Sequence, residues 1–404
     1  MQKSRFTALH SINIIMKSLI LLCSLMGLSA VSGKGPVTEK VKTDYPLIEN
    51  AKRQDLFVPG QAGSKFYRIP AIATAMNGDL IAVIDARRTS AADLQHIRDI
   101  DIAVRRSSDN GDTWSEVEFM TDFPDGKVGS DPSLIVDKTT GEIFCFYNFL
   151  DHDLEVNKTR PSKTAVNYRH YVQSSKDHGK TWSKPKDIRD DIMPEGIKER
   201  DFIFITSGRG IQTKSGALIH TLCRVGNQSG YLFGSNDHGK TWQALKTKKF
   251  TPANENKIIE LSDGTWMINT RTRGKGRYVH LSKNKGKTWT SKAEKNLPDP
   301  GCNAEAIVYT EKKDGYDKNR LLFVNPHSHR GRKNLVLSIS YDDGKTWTHK
   351  KCIEKGASGY SSITICKNGD IGIFFENGRK MAFVRVTLKD LTDGKDELKK
   401  PFEL

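Results

Sequence analysis

The chain has 404 residues and a formal net charge of +16, with 64 Lys and Arg against 48 Asp and Glu. Its length suits one main domain, and no Pro- or Ser-rich linker marks off a second. None of the six cysteines stands at metal-ligand spacing from another, and no helix-turn-helix, finger or RNA-binding signature accompanies the basic charge. A metal centre and a nucleic-acid reader are therefore disfavoured, and the charge suits an acidic substrate or an anionic glycan-coated surface.

Residues 1–15 are weakly polar, and Met16-Lys17 then leads into the apolar run Ser18–Leu28. That run is too short for a stable bilayer anchor. With the small residues Ala30, Ser32 and Gly33 behind it, it predicts a secretory signal over 1–33, with Met16 as an alternative start. Export to a periplasm or to the medium follows. Residues 34–55 read as a lead segment, 56–395 as the folded body and 396–404 as a tail. Cys145, Cys223 and Cys366 lie in apolar strands and read as small core residues. Together with Cys302 and Cys352 they leave an odd count after the leader, so at least one thiol is free.

The body repeats one eight-residue pattern, Ser-x-Asp-x-Gly-x-Thr-Trp. It occurs at 107–114, 175–182, 235–242, 282–289 and 340–347, with Asn284 replacing Asp in the fourth copy. Asp-x-Gly makes a turn, because Asp bonds nearby N–H groups and Gly takes positive φ freely. Thr-Trp starts the next strand, and the indole is predicted to tuck against its own hairpin. Asn284 keeps the carbonyl acceptor, so that copy should turn as well. Five equivalent sites cannot form one active site, so the boxes read as structural.

A second repeat runs out of phase with the boxes. Turns followed by apolar runs start at Asn77, Thr140, Ser215, Asp263, Asn319 and Asn368. Six units of about four short strands predict an all-β, six-bladed propeller, preferred to a sandwich or barrel. The last blade is predicted to borrow a strand from near Phe66–Ala75, which closes the ring without an open edge. The charged stretch 186–201 reads as an inter-strand loop.

A third set of residues carries chemistry. Phe66-Tyr67-Arg68-Ile69-Pro70 puts a guanidinium in an apolar strand, where it needs a partner or a ligand. Arg87 ends the next strand and Asp93 follows it. Asp131 sits in a turn, Glu255 before a strand and Arg271 after it. Arg332, Tyr360 and Glu376 fall at later strand ends. Arg68, Arg271 and Arg332 belong to different repeats at comparable positions. Converged, they would make a strong carboxylate site, and an acid such as Glu376 would be needed to steady one of them.

With these residues and the boxes, nearly the whole body from Phe66 to Glu376 resembles the bacterial exo-sialidases (neuraminidases) with Asp-box repeats. The resemblance implies that Arg68, Arg271 and Arg332 bind the sialic acid carboxylate and that Asp93 is the general acid/base. It implies that Tyr360 is the nucleophile and Glu255 its base. Arg87 and Asp131 would contact the sugar, and Glu376 would steady Arg68. Tyr67 departs from the commoner Phe, the fourth box lacks Asp, and Arg330 and Arg273 stand close enough to compete for the triad positions.

Such chemistry suits tyrosine, because a carboxylate nucleophile would be repelled by the sugar's own carboxylate. The arginines should also favour the phenolate form. The expected reaction is retaining hydrolysis of sialylated glycans by a monomer, without cofactor or metal. Sialyl transfer and an anhydro-forming reaction share the same residues, and a non-catalytic glycan-binding propeller is the third alternative.

Overall fold

The computed structural model describes residues 44–154, 168–198, 201–272 and 276–404. The apolar leader expected over 1–33 lies outside them. The described residues are almost all β, in three four-stranded sheets, one five-stranded sheet and one nine-stranded sheet. Pairing is overwhelmingly antiparallel between sequence neighbours, as in Asn256–Glu260, Trp266–Thr270, Arg277–Ser282 and Thr290–Glu294. The innermost strands touch one another. Phe66–Thr74 lies against Ser361–Ile365 and Lys127–Val136, and Glu305–Thr310 lies against Asn256–Glu260 and Ser361–Ile365. The result is a propeller-like arrangement of sheets around a common centre. Among the described residues no helix is long and apolar enough to cross a membrane.

The boxes turn by one repeated hydrogen-bond scheme. Ser107 Oγ donates to Asp109 Oδ1 at 2.7 Å and accepts from Gly111 N at 2.8 Å, while Thr113 N donates to Asp109 Oδ1 at 2.9 Å. The copies at 175–182, 235–242 and 340–347 repeat it. Asn284 keeps the turn as expected. Its Oδ1 accepts from Thr288 N at 2.9 Å, and its amide donates to Thr288 Oγ1 at 2.9 Å.

Two box tryptophans reach beyond their own hairpins, although Trp242 also meets Phe233 of its own, with centroids 6.1 Å apart. Trp114 packs on Phe383 (centroids 5.1 Å apart), and Trp242 packs edge-on to Phe146 (4.8 Å), each ring reaching a strand of a different sheet. Gly239 fits against the same neighbour, since a Cβ there would stand 2.1 Å from Phe144 Cζ. These boxes lock one sheet onto the next.

Ring closure also differs. The strand that joins the final sheet is Lys52–Phe57, paired with Lys380–Val386, whereas Phe66–Thr74 pairs with Leu80–Arg87. Lys52–Phe57 buries only its last two residues, so its sequence carries little apolar signal. Among the described residues of 186–201 the chain makes a short strand, Lys186–Asp187, and a short helix, Arg189–Ile192, whose Ile192 is buried. All five cysteines among the described residues are buried and free.

Candidate active site

Two of the innermost strands carry the same irregularity. Phe66–Thr74 breaks register between Arg68 and Ala71, and Lys127–Val136 breaks it between Ser130 and Ser133. In each, the residue before a proline has positive φ: Ile69 at 63° and Asp131 at 62°. A left-handed β-branched residue is strained, and the bulge turns the strand at that point. Arg68 and Asp131 stand at these two bends.

The other residues reach the same end of the fold from strand termini. Arg87 ends Leu80–Arg87, Arg271 follows Trp266–Thr270, and Glu376 closes Ile371–Asn377. Glu255 precedes Asn256–Glu260, and Tyr360 precedes Ser361–Ile365. First strands start where second strands finish, so antiparallel pairing gathers all five.

Tyr360 is at the centre. Its hydroxyl donates to Glu255 Oε1 and accepts from Arg271 Nη1 at 2.9 Å. The same Arg271 nitrogen pairs with Glu255 Oε2 at 2.9 Å. The guanidinium carbons of Arg68 and Arg332 stand 5.4 and 5.1 Å from the Tyr360 ring centroid. The three arginines therefore converge on one phenol. Arg332 takes the third position, with Nη2 donating to Gly301 O at 3.0 Å, whereas Arg330 is exposed. Arg273 lies outside the described residues.

Glu376 steadies Arg68. Its Oε1 accepts from Arg68 Nε and from Ile69 N, both at 3.2 Å. Asp93 is the exposed member, its side chain 70% accessible, and its Oδ1 accepts from Arg68 Nη1 and Arg87 Nη1 at 3.2 Å. Burial of Asp93 works to raise its carboxyl, but Arg87, Arg68 and Arg332 outweigh it and hold it below the usual range.

The Tyr360 phenol moves the other way. Burial and the charge of Glu255 push it well above its ordinary value, against the pull of Arg271 and Arg332. The arginines act in the expected direction, but they do not win. In the unliganded site Tyr360 is a protonated phenol with its proton aimed at a carboxylate.

One residue escaped the sequence reading. Asp85 is wholly buried and accepts from Arg87 Nη2 at 2.9 Å, Ser130 Oγ at 2.6 Å and Asp131 N at 2.9 Å. It ties Arg87 to the bend that carries Asp131. A carboxylate inside Leu80–Arg87 gives the same warning as Arg68, because a buried charge demands a partner. Asp131 accepts from Asn148 Nδ2 at 3.3 Å. Burial, then the charges of Asp85 and Glu255, push its carboxyl up to about 8.

Comparisons with known proteins point to one family. Residues 79–373 match the model of the BNR repeat-like domain. The chain belongs to the BNR repeat-like domain family. Within it, the chain is 32% identical to a sialidase of Bacteroides fragilis over 82% of this chain and 64% of the relative. It is 33% identical to a sialidase of Micromonospora viridifaciens over 83% of this chain and 53% of the relative. The chain thus spans between half and two-thirds of the length of these curated relatives. Among solved structures, the Hadza microbial sialidase Hz136 superposes with a TM-score of 0.74 at 28% identity, covering 84% of this chain and 69% of that one. The resemblance to sialidases read from the boxes and strand ends is borne out.

Proposed function

We propose that this BNR-repeat protein is an exo-α-sialidase that removes terminal sialic acid from glycans with retention of configuration. One observation carries the reading: a buried phenol bonded to both a carboxylate and a guanidinium, with two further guanidiniums beside its ring. A structural tyrosine needs one hydrogen-bond partner and no cluster of three cations.

In this reading Arg68, Arg271 and Arg332 bind the sugar carboxylate, whose planar geometry suits guanidinium forks. Tyr360 Oη attacks the anomeric carbon as its proton passes to Glu255. The glycosidic C–O bond breaks, and the leaving oxygen takes a proton from Asp93. Water then attacks the same carbon, Asp93 takes its proton, and the tyrosyl oxygen leaves with the proton held by Glu255. Arg87 and Asp131 face the sugar, and Glu376 fixes Arg68.

Asp93 must be protonated to act as an acid, yet Arg68 and Arg87 hold it ionised in the free site. An incoming carboxylate competes for Arg68 and loosens that pair. Substrate binding itself then raises the proton affinity of Asp93.

The finer architecture is part of the same proposal. The nine-stranded sheet is joined across its middle by a single parallel pair, Ile100 with Val128. Divided there it supports two blades, and the count becomes six. We further propose that the protein acts outside the cytoplasm, as the run Ser18–Leu28 suggests. Incubation with a fluorogenic sialoside tests the activity. Wild type should release the fluorophore, and Y360F should lose several orders of magnitude of turnover while melting as wild type does; a Y360F variant of near-wild-type rate contradicts the proposal.

A further inference from the structure

Beneath the catalytic tyrosine the centre of the fold is charged rather than apolar. Lys257 is 1% exposed and lies two residues after Glu255 on the same extended segment, so both side chains point to one face. Its Nζ donates to Asn303 Oδ1 at 2.9 Å and approaches Asn256 O at 3.5 Å. Glu305 starts the next innermost strand, is wholly buried, and lies 3.5 Å from Arg209 Nε. Gly208 shows how closely these groups are packed. At φ 102°, a Cβ there would stand 2.8 Å from Lys257 Cε and 3.3 Å from Glu305 Oε2. From the site inward the charges alternate: Glu255, Lys257, Glu305, Arg209.

A buried ammonium costs several kcal/mol of desolvation, and hydrophobic side chains would fill this space more cheaply. We infer that Lys257 is a positioning residue whose buried charge keeps Glu255 in the ionised, proton-accepting form beneath Tyr360. The inference rests on the sialidase reading given above. Glu305 and then Glu255 are the acids that act most on the Lys257 charge. Glu305 and Arg209 face it from below, Asp131 and His220 from neighbouring sheets, and Arg277 from its own sheet. Glu255 faces Arg271 and Tyr360 on its outer side, Arg277 of its own sheet and Asp131 of another, with Cys223 and Cys302 beside it. Burial pulls the Lys257 ammonium down to about 8 against Glu305 and Glu255, so it carries its charge below that pH.

The test is the acid limb of kcat/KM, which reports the ionisation of the free enzyme's base. K257M and K257Q both remove the charge, and the glutamine retains a donor for Asn303 if methionine does not fold. Without the ammonium, ionised Glu255 is harder to hold, and the acid limb should move up by about one pH unit. K257R keeps the charge and should leave the limb in place. A lysine with a merely structural role would lower Tm or kcat without moving the limb. An unmoved limb in either folded neutral variant, with wild type hydrolysing the sialoside, overturns the inference alone. A wild-type protein without hydrolysis overturns the reading beneath it, and this inference falls as well.

Discussion

Glu376 binds Arg68 with one carboxylate oxygen and the backbone of Tyr360 with the other. Oε1 accepts from Arg68 Nε at 3.2 Å, and Oε2 accepts from Tyr360 N at 3.1 Å. One side chain thus fixes the distance between Arg68, the proposed carboxylate binder, and Tyr360, the proposed nucleophile. Gly359 leaves the space for it, because a Cβ there would lie 2.1 Å from Oε2. E376Q removes a charge-assisted bond worth about 1.5–3 kcal/mol, so KM for a sialoside should rise roughly 10- to 100-fold. G359A should give a similar increase by displacing the same carboxylate. Steady-state kinetics on both variants checks this, and an unchanged KM in both would remove Glu376 from the site.

Asp131 predicts a pH dependence of stability. Its folded carboxyl is raised to about 8, from an unfolded value of about 3.9. The folded state therefore holds a proton that the unfolded state releases. Stability from this group is greatest below pH ~4, declines as pH rises toward 8, and is level above. D131N mimics the neutral acid and removes that decline. The Tm of D131N minus that of wild type should grow between pH 4 and 8, and thermal melts across that range would show it.

The box aspartates have the opposite sign. Hydrogen bonds from the side chain and backbone of Thr241 hold Asp237 down at about 2. Its contribution is present above pH ~4 and is lost as pH falls toward 2. D237N copies the natural Asn284 turn. It should fold at pH 7 and show a shallower fall in Tm between pH 4 and 2 than wild type. Parallel acid melts of the two proteins provide the comparison.

Arg332 and Arg330 are two residues apart, yet only Arg332 faces the Tyr360 ring. R332K keeps the charge and loses the planar fork, so substrate affinity should fall by an order of magnitude or more, about 1.4 kcal/mol per tenfold. R330A should bind as wild type does. Inhibition constants for a sialic acid analogue separate the two, and a reversed order would exchange their roles.

Much of this was legible in the sequence because each signal was local. A box is a turn whose donors and acceptors lie within eight residues, so Asn284 could be judged by its carbonyl alone. Arg68 stood out as a charge within an apolar strand. Asp85 carries the same signal, but beyond its near neighbour Arg87 its partners Ser130 and Asp131 lie in another repeat. The outer contacts of Trp114 and Trp242 are not local for a related reason: the strands that receive the indoles belong to a neighbouring sheet. Lys52–Phe57 went unseen as a strand because pairing with Lys380–Val386, and not apolar periodicity, specifies it.

The central claim is that Tyr360 becomes covalently bonded to the sugar. A 2,3-difluorinated sialic acid bearing an anomeric fluoride slows release of such an intermediate, and peptide mass spectrometry locates the bond. The sialyl adduct is expected on the peptide containing Tyr360 and absent in Y360F. An adduct on Asp93 or Glu255, or turnover of the probe with no adduct at any time, would contradict it.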